Sequence, residues 1–131
     1  MIDLTATKKI KTQISANPDE IQAIIDATPI GICITNQAMN YAAVNEAYCQ
    51  IYKYSKEELI GNSFLIVVPE EYKEQLAFLH DKFIKEKREI ARQWTVVNRQ
   101  GENMNINVDT YYSEDLFDKT PHKITFVELA K

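Results

Sequence analysis

The sequence predicts an α+β fold, a five-stranded antiparallel sheet with helices packed on one face and a flanking helix at the N-terminus. Two short strand-like runs joined by a turn come first, at Ile30 to Ile34 and Tyr41 to Val44. Three more come last: Ile90 to Arg99, Met104 to Asp109 and Lys123 to Leu129. Between the groups lies a helical stripe, Tyr72, Leu76, Leu79 and Phe83, at spacings of four, three and four. Strands grouped two then three, with the helices between them, imply antiparallel pairing and a layer of helices on the sheet.

The elements follow in order. Leu4, Ile10 and Ile14 form a thin apolar stripe among Lys, Thr and Gln, compatible with a helix or a loose extension. Asn17-Pro18-Asp19-Glu20 is a stronger start: Asn caps, Pro suits the first helical position, and the acids oppose the helix dipole. That helix should run to about Ala27 and end before Pro29. Its apolar residues Ile21, Ile24 and Ile25 need a partner, either the outer face of its own sheet or the same helix of a second subunit. Asn45 is placed to cap a helix over Glu46 to Tyr52, and Ser55 with Glu58 forms a capping box for the next. Pro69-Glu70-Glu71 opens the long helix, whose other face, with Lys73, Glu74, Asp81, Lys85 and Glu86, is an ordinary solvated surface. Gln100-Gly101 turns the second hairpin. The expected division is an N-terminal extension over 1–17 and one domain over 18–131.

Several functions are disfavoured by composition. A net charge of −4, with basic runs diluted by acids, does not suit nucleic acid. No apolar run approaches a membrane span, and the N-terminus lacks a signal-peptide core, so a soluble, cytoplasmic protein is expected. Cys33 and Cys49 have no metal-ligand spacing and read as reduced packing residues. Catalysis is not expected either. His80 and His122 are the only imidazoles, no Gly-rich phosphate loop exists, and the acidic pairs Glu57-Glu58 and Glu70-Glu71 sit at helix starts, where the dipole accounts for them.

The succession Pro29-x-Gly31-Ile32, Val44-Asn45-x-Ala47-Tyr48 and Tyr54-Ser55-x-Glu57-Glu58-Leu59-Ile60-Gly61 resembles the first half of a PAS domain, and the resemblance extends over roughly residues 18–129. It implies a sensory or regulatory module of a signal-transduction protein, one that binds a small molecule or relays conformational change through a dimer. A ligand-free dimerisation scaffold is the alternative, and a small α+β enzyme comes third. The resemblance also raises cofactors, and the residues argue against each. Flavin photoreceptors of the family resemble Gly-x-Asn-Cys-Arg-Phe-Leu-Gln after the second short helix, where this chain reads Gly61-Asn62-Ser63-Phe64-Leu65-Ile66, with Ser63 and no Cys after the Asn. Haem-binding members place a His four residues after Pro-x-x-Tyr, where Pro69-x-x-Tyr72 leads to Leu76. His80 lies one turn further and reads as an amphipathic residue at the edge of the buried stripe. FAD-binding redox sensors resemble Trp-Ser-Gly before Asn-Arg, and Trp94 is displaced relative to Asn98-Arg99. No haem, flavin or metal is expected.

The candidate ligand pocket comprises Arg92, Trp94, Leu76, Phe64, Ile34, Tyr48, Met104 and Ile106. Alternation puts Ile90, Arg92, Trp94 and Val96 on one strand face, opposite Met104, Ile106 and Val108. If that face looks toward the long helix, Arg92 is carried inward and needs a carboxylate or an anionic ligand; otherwise it lies at the strand edge and reaches water along its stem. The expected partners are a second copy of the chain, joined through Leu4, Ile10, Ile14 and Ile21, a small organic ligand, anionic if Arg92 is the handle, and an output domain of a longer signalling protein.

Overall fold

The computed structural model describes residues 2–130, so the domain limits expected at Met1 and Lys131 lie outside the described residues. Helix α1 spans Leu4–Ala16 and resolves the choice between helix and extension. Its cap is Asp3, whose carboxylate accepts the N–H groups of Thr5 and Ala6 at 2.9 and 3.2 Å. Asn17, expected to cap the next helix, makes no side-chain capping bond. Pro18–Glu20 instead forms one tight 3₁₀ turn that leads into α2, Ile21–Asp26. Then follow β1 (Gly31–Asn36), β2 (Tyr41–Val44), α3 (Glu46–Tyr52) and α4 (Lys56–Leu59), the last with the capping box of Ser55 and Glu58. Two 3₁₀ turns, Phe64–Val67 and Glu70–Tyr72, lead to α5, Lys73–Glu86. The chain ends with β3 (Arg92–Val97), β4 (Asn103–Ser113) and β5 (His122–Leu129).

The strands form one antiparallel sheet in the order β2-β1-β5-β4-β3, so the last strand fills the centre between the two hairpins. Trp94 pairs with Ile106, Val96 with Met104 and Arg92 with Val108, the register expected from alternation. Both faces are covered. Cys33, Val96, Ile106, Val108 and Val127 meet α3, α4 and the 64–68 segment, while Ile32, Ile34, Ile124 and Phe126 meet α1 and α2.

This second core changes the reading of the N-terminal segment. Ile10, Ile14 and Ile21, taken as interface residues from the sequence, are buried against the sheet of their own chain, and of the four only Leu4 is exposed. A polar latch adds to the contact. Asp109, buried on β4, accepts the Thr7 hydroxyl at 2.7 Å and pairs with the Lys11 ammonium at 2.9 Å. Both its oxygens are occupied, since the other accepts the Thr110 N–H.

Asn45, 2% exposed, ties the two layers together. Its oxygen accepts the N–H groups of Ile32 and Tyr48, and its amide donates to the carbonyls of Ile25 and Ile30, all between 2.8 and 3.0 Å. Beside it, Gly31 lets α3 lie close on β1: a Cβ there would stand 2.9 Å from Ile51 and 3.3 Å from the Tyr48 backbone.

Two outcomes are expected. Asn45→Ala removes four hydrogen bonds to buried backbone groups and should lower stability by about 3 kcal/mol in urea unfolding. Removal of residues 1–17 strips Ile10 and Ile14 from the sheet, which should destabilise by roughly 3 kcal/mol. The uncovered apolar face should raise the mass seen by light scattering; a truncated chain that stays monomeric and equally stable would contradict this packing.

Candidate functional site: a small cavity between helices and sheet

Alternation along the strands decides which side chains reach the space under the helices. The odd-numbered residues of β1 and β5, Cys33, Thr35, Lys123, Thr125 and Val127, face it, and so do Ile106, Val108 and Thr110 of β4. Trp94 and Val96 close the β3 side. Tyr48 and Tyr52 of α3, Phe64, Val67 and Val68, and Leu76 of α5 form the roof. The cavity so enclosed measures about 100 Å³. Leu76, Trp94, Val108, Thr110 and Lys123 also line a smaller hollow that runs between α5 and β3 toward Arg92.

Among the polar side chains that interrupt the apolar wall, with Thr95, Thr110, Thr125 and the phenols of Tyr48 and Tyr52, two stand out. Thr35, 1% exposed, has a hydroxyl with no hydrogen-bond partner among the described residues. Its cross-strand neighbour is Lys123, half-buried, whose ammonium lies 4.7 Å from the centre of the Phe64 ring and 5.9 Å from that of Phe83. Among the described residues no carboxylate stands within ion-pairing distance of it. Burial pushes the Lys123 ammonium down to about 8, with the nearby Cys33 acting weakly in the other direction. Burial likewise pushes the Cys33 thiol up to about 11, so at neutral pH it is an uncharged part of the wall. Tyr48 and Tyr41 share a buried hydroxyl–hydroxyl bond of 2.6 Å, and burial holds both phenols well above their usual value.

Of the residues expected here, Trp94, Leu76, Phe64, Tyr48 and Ile106 do line the cavity. Three do not. Ile34 points to the opposite face, into the α1–α2 core, because β1 presents its odd positions to the helices. Met104 packs at the rim of the core without reaching the cavity. Arg92 is exposed at the end of the edge strand β3 and stacks its guanidinium on Trp94 at 4.4 Å, which satisfies it without an internal anion. The cation inside is therefore Lys123, which the sequence reading missed. Its signal in the sequence is the alternation that puts Lys123 on one strand face with Thr125 and Val127.

His80 is also not at the edge of a stripe. It is 1% exposed, its Nε2 sits 2.9 Å from the Asn36 carbonyl in the β1–β2 turn, and its ring packs 5.4 Å from that of Phe64. Its Nδ1 has no partner. Burial, with the Lys123 charge nearby, pushes the imidazole down to about 4.

The residues present do not fit the larger cofactors of such folds. Ser63, at the flavin-adduct position, uses its hydroxyl to accept the Leu65 N–H. Leu76, at the haem-ligand position, is a wall residue. The cavity is well below the roughly 300–1,000 Å³ that encloses a drug-sized molecule. Among the described residues no group of three His, Cys, Asp or Glu is arranged for a metal, and no helix is long and apolar enough to cross a membrane.

The sequence profile of the PAS fold matches residues 19–125. The chain belongs to the PAS family. Solved structures agree on the fold: a PAS domain from a two-component sensor histidine kinase superposes with a TM-score of 0.69 at 13% identity, covering 91% of this chain and 99% of that one. A PAS domain from Colwellia psychrerythraea gives 0.73 at 12%, covering 86% and 95%. The PAS domain of Bordetella pertussis BvgS gives 0.70 at 14%, covering 86% and 85%. No curated protein sequence matches the chain.

Two titrations of this PAS domain should be measurable. His80 is neutral in the native state down to about 4, whereas the unfolded chain takes up its proton near 6.5. Its contribution is complete above 6.5 and lost as pH falls toward 4, up to roughly 3 kcal/mol. His80→Gln should flatten that stretch of the stability profile. Lys123 has the same sign at higher pH: the native state gives up its proton near 8 and the unfolded chain near 10.5, so stability rises between those values. At pH 7 the penalty is fully present, and Lys123→Met should stabilise the empty domain by roughly 1 kcal/mol in urea melts.

Proposed function

We propose that this PAS domain is a sensory and regulatory module of a signal-transduction protein, and that it takes a small molecule into the cavity between helices and sheet. The observation that carries the reading is the cavity itself, walled largely by apolar side chains yet holding a buried Thr35 hydroxyl that has no partner among the described residues. Structural protein interiors rarely keep such a group, and binding sites combine an apolar wall with a few polar contacts. The similar domains taken from sensor histidine kinases support the signalling role and an output domain elsewhere in a longer protein.

A relay is available in the same elements. Thr110 lines the cavity, and its neighbour Asp109 holds α1 through Thr7 and Lys11 on the opposite face. A ligand that moves β4 therefore bears directly on the N-terminal helix. Self-association through the N-terminal segment belongs to the same proposal, although of the four candidates only Leu4 is exposed, so pairing through Ile10 and Ile14 requires exchange of α1 between copies, and pairing through Ile21 requires α2 to move as well. We place the module in the cytoplasm and assign it no catalytic step.

Native extraction followed by intact-mass analysis tests the reading. The wild-type domain should retain or select a small compound, and Cys33→Met, which extends a side chain into the cavity, should lose it while remaining folded. An empty wild-type domain that no small molecule stabilises would favour the scaffold alternative instead.

A further inference from the structure

We propose that the cavity is a site for a short aliphatic monocarboxylate, held by the Lys123 ammonium and the Thr35 hydroxyl. The inference rests on the reading of the cavity as a ligand site and adds the ligand's chemical class.

A buried hydroxyl is costly as it stands, and a half-buried cation lies beside it. A lysine drawn under a helical layer normally brings a carboxylate with it, because the desolvated charge is otherwise unfavourable. Among the described residues Lys123 has none, and two phenyl rings are what its charge touches. Beside it, Thr35 keeps a hydroxyl that is 1% exposed and bonded to nothing. The two are register partners on adjacent antiparallel strands, β1 and β5, facing the same space, so their side chains start about 5 Å apart. One donor is cationic and the other neutral, and both lack an acceptor. A carboxylate has two oxygens with lone pairs in one plane, and can accept from both at once.

Other anions fit less well. A phosphate or sulfate carries more than one negative charge, and Lys123 is the one cation among the described residues that line the cavity; hydroxyls of Thr95, Thr110, Thr125, Tyr48 and Tyr52 line it too, and the rest of the wall is apolar, with Val67, Val68, Val96 and Ile106. That wall asks for a hydrocarbon tail. The cavity, about 100 Å³, is small for a ligand site and suits a short acid rather than a long-chain one. The hollow between α5 and β3 joins the cavity at Lys123 and leads to Arg92, exposed on Trp94. An incoming anion thus meets a surface cation first and the internal one second, which favours capture without adding to final affinity.

The test compares acetate, propionate and butyrate with propionamide and butyramide, at matched sodium chloride, by calorimetry and thermal shift. The amides keep shape and lose charge. The expected result is that one or more acids bind and raise the melting temperature, and that the matching amides bind at least about tenfold more weakly. Lys123→Met should cost the acid tenfold or more and leave the amide unchanged, Thr35→Val should cost the acid about threefold to tenfold, and Arg92→Ala should slow association at low salt with affinity within about threefold. Equal binding of acid and amide overturns the inference and leaves the cavity as a ligand site. So does a response to a neutral probe of similar size, such as pyrrole, when no acid binds. Failure of every probe overturns both readings. The wild-type comparison of acid with amide decides the question even if a variant does not fold.

Discussion

Asn45 satisfies four backbone groups at the one point where α2, β1 and α3 converge, and the arrangement of the domain depends on it. A primary amide has two donor hydrogens and two acceptor lone pairs, and here each is used. The Ile32 and Tyr48 N–H groups and the Ile30 carbonyl take their side-chain partner from it, and it adds a second donor to the Ile25 carbonyl, which also accepts the Thr28 N–H at 3.4 Å. Asp lacks the donors, Ser or Thr reaches one or two of the four, and Gln carries the same amide one methylene further from the backbone. Once α3 is fixed, Gly31 determines how closely it lies on β1, and that spacing sets the height of the cavity roof at Tyr48 and Tyr52.

The sheet then works as a wall between two interiors of different character. The α1–α2 side is a dry isoleucine core, with Asp109 as its one charged member and two partners to neutralise it. The α3–α5 side is packed less completely and carries an unpaired lysine, an unpartnered threonine and a void. Stability and site are thus divided between the two faces. The first face can carry the energetic burden of Lys123 and Thr35 on the second, as sites generally rest on scaffolds stable enough to tolerate them. Adjacent residues of β4, Asp109 and Thr110, face the two interiors in turn, so any shift of that strand is felt on both.

Much of this was legible in the sequence. The capping box at Ser55 and Glu58, the Asn45 cap, the Gln100-Gly101 turn and the β3–β4 register are all local, each set by residues close together in the chain or by strict alternation. Trp94, Leu76, Phe64, Tyr48 and Ile106 were placed at the cavity for the same reason. The order of strands, in contrast, depends on β5 entering between β1 and β4, contacts some ninety residues apart along the chain. Only its similarity to a known fold anticipates that.

What the sequence by itself determined is the set of elements and their ends, because capping, turn chemistry and side-chain period act over a few residues. Which face of each strand looks at which layer was decided by tertiary structure. With one face covered, the more apolar set of a strand must point inward, and Ile34, Ile124 and Phe126 would line the cavity. With α1 folded across the far side, both faces are interior, and the apolar criterion no longer distinguishes them. The isoleucines went to the dry core, and Cys33, Thr35, Lys123 and Thr125 were left to face the helices. The same packing took Ile10, Ile14 and Ile21 out of solvent and left Arg92 at an edge, where stacking on Trp94 and water suffice.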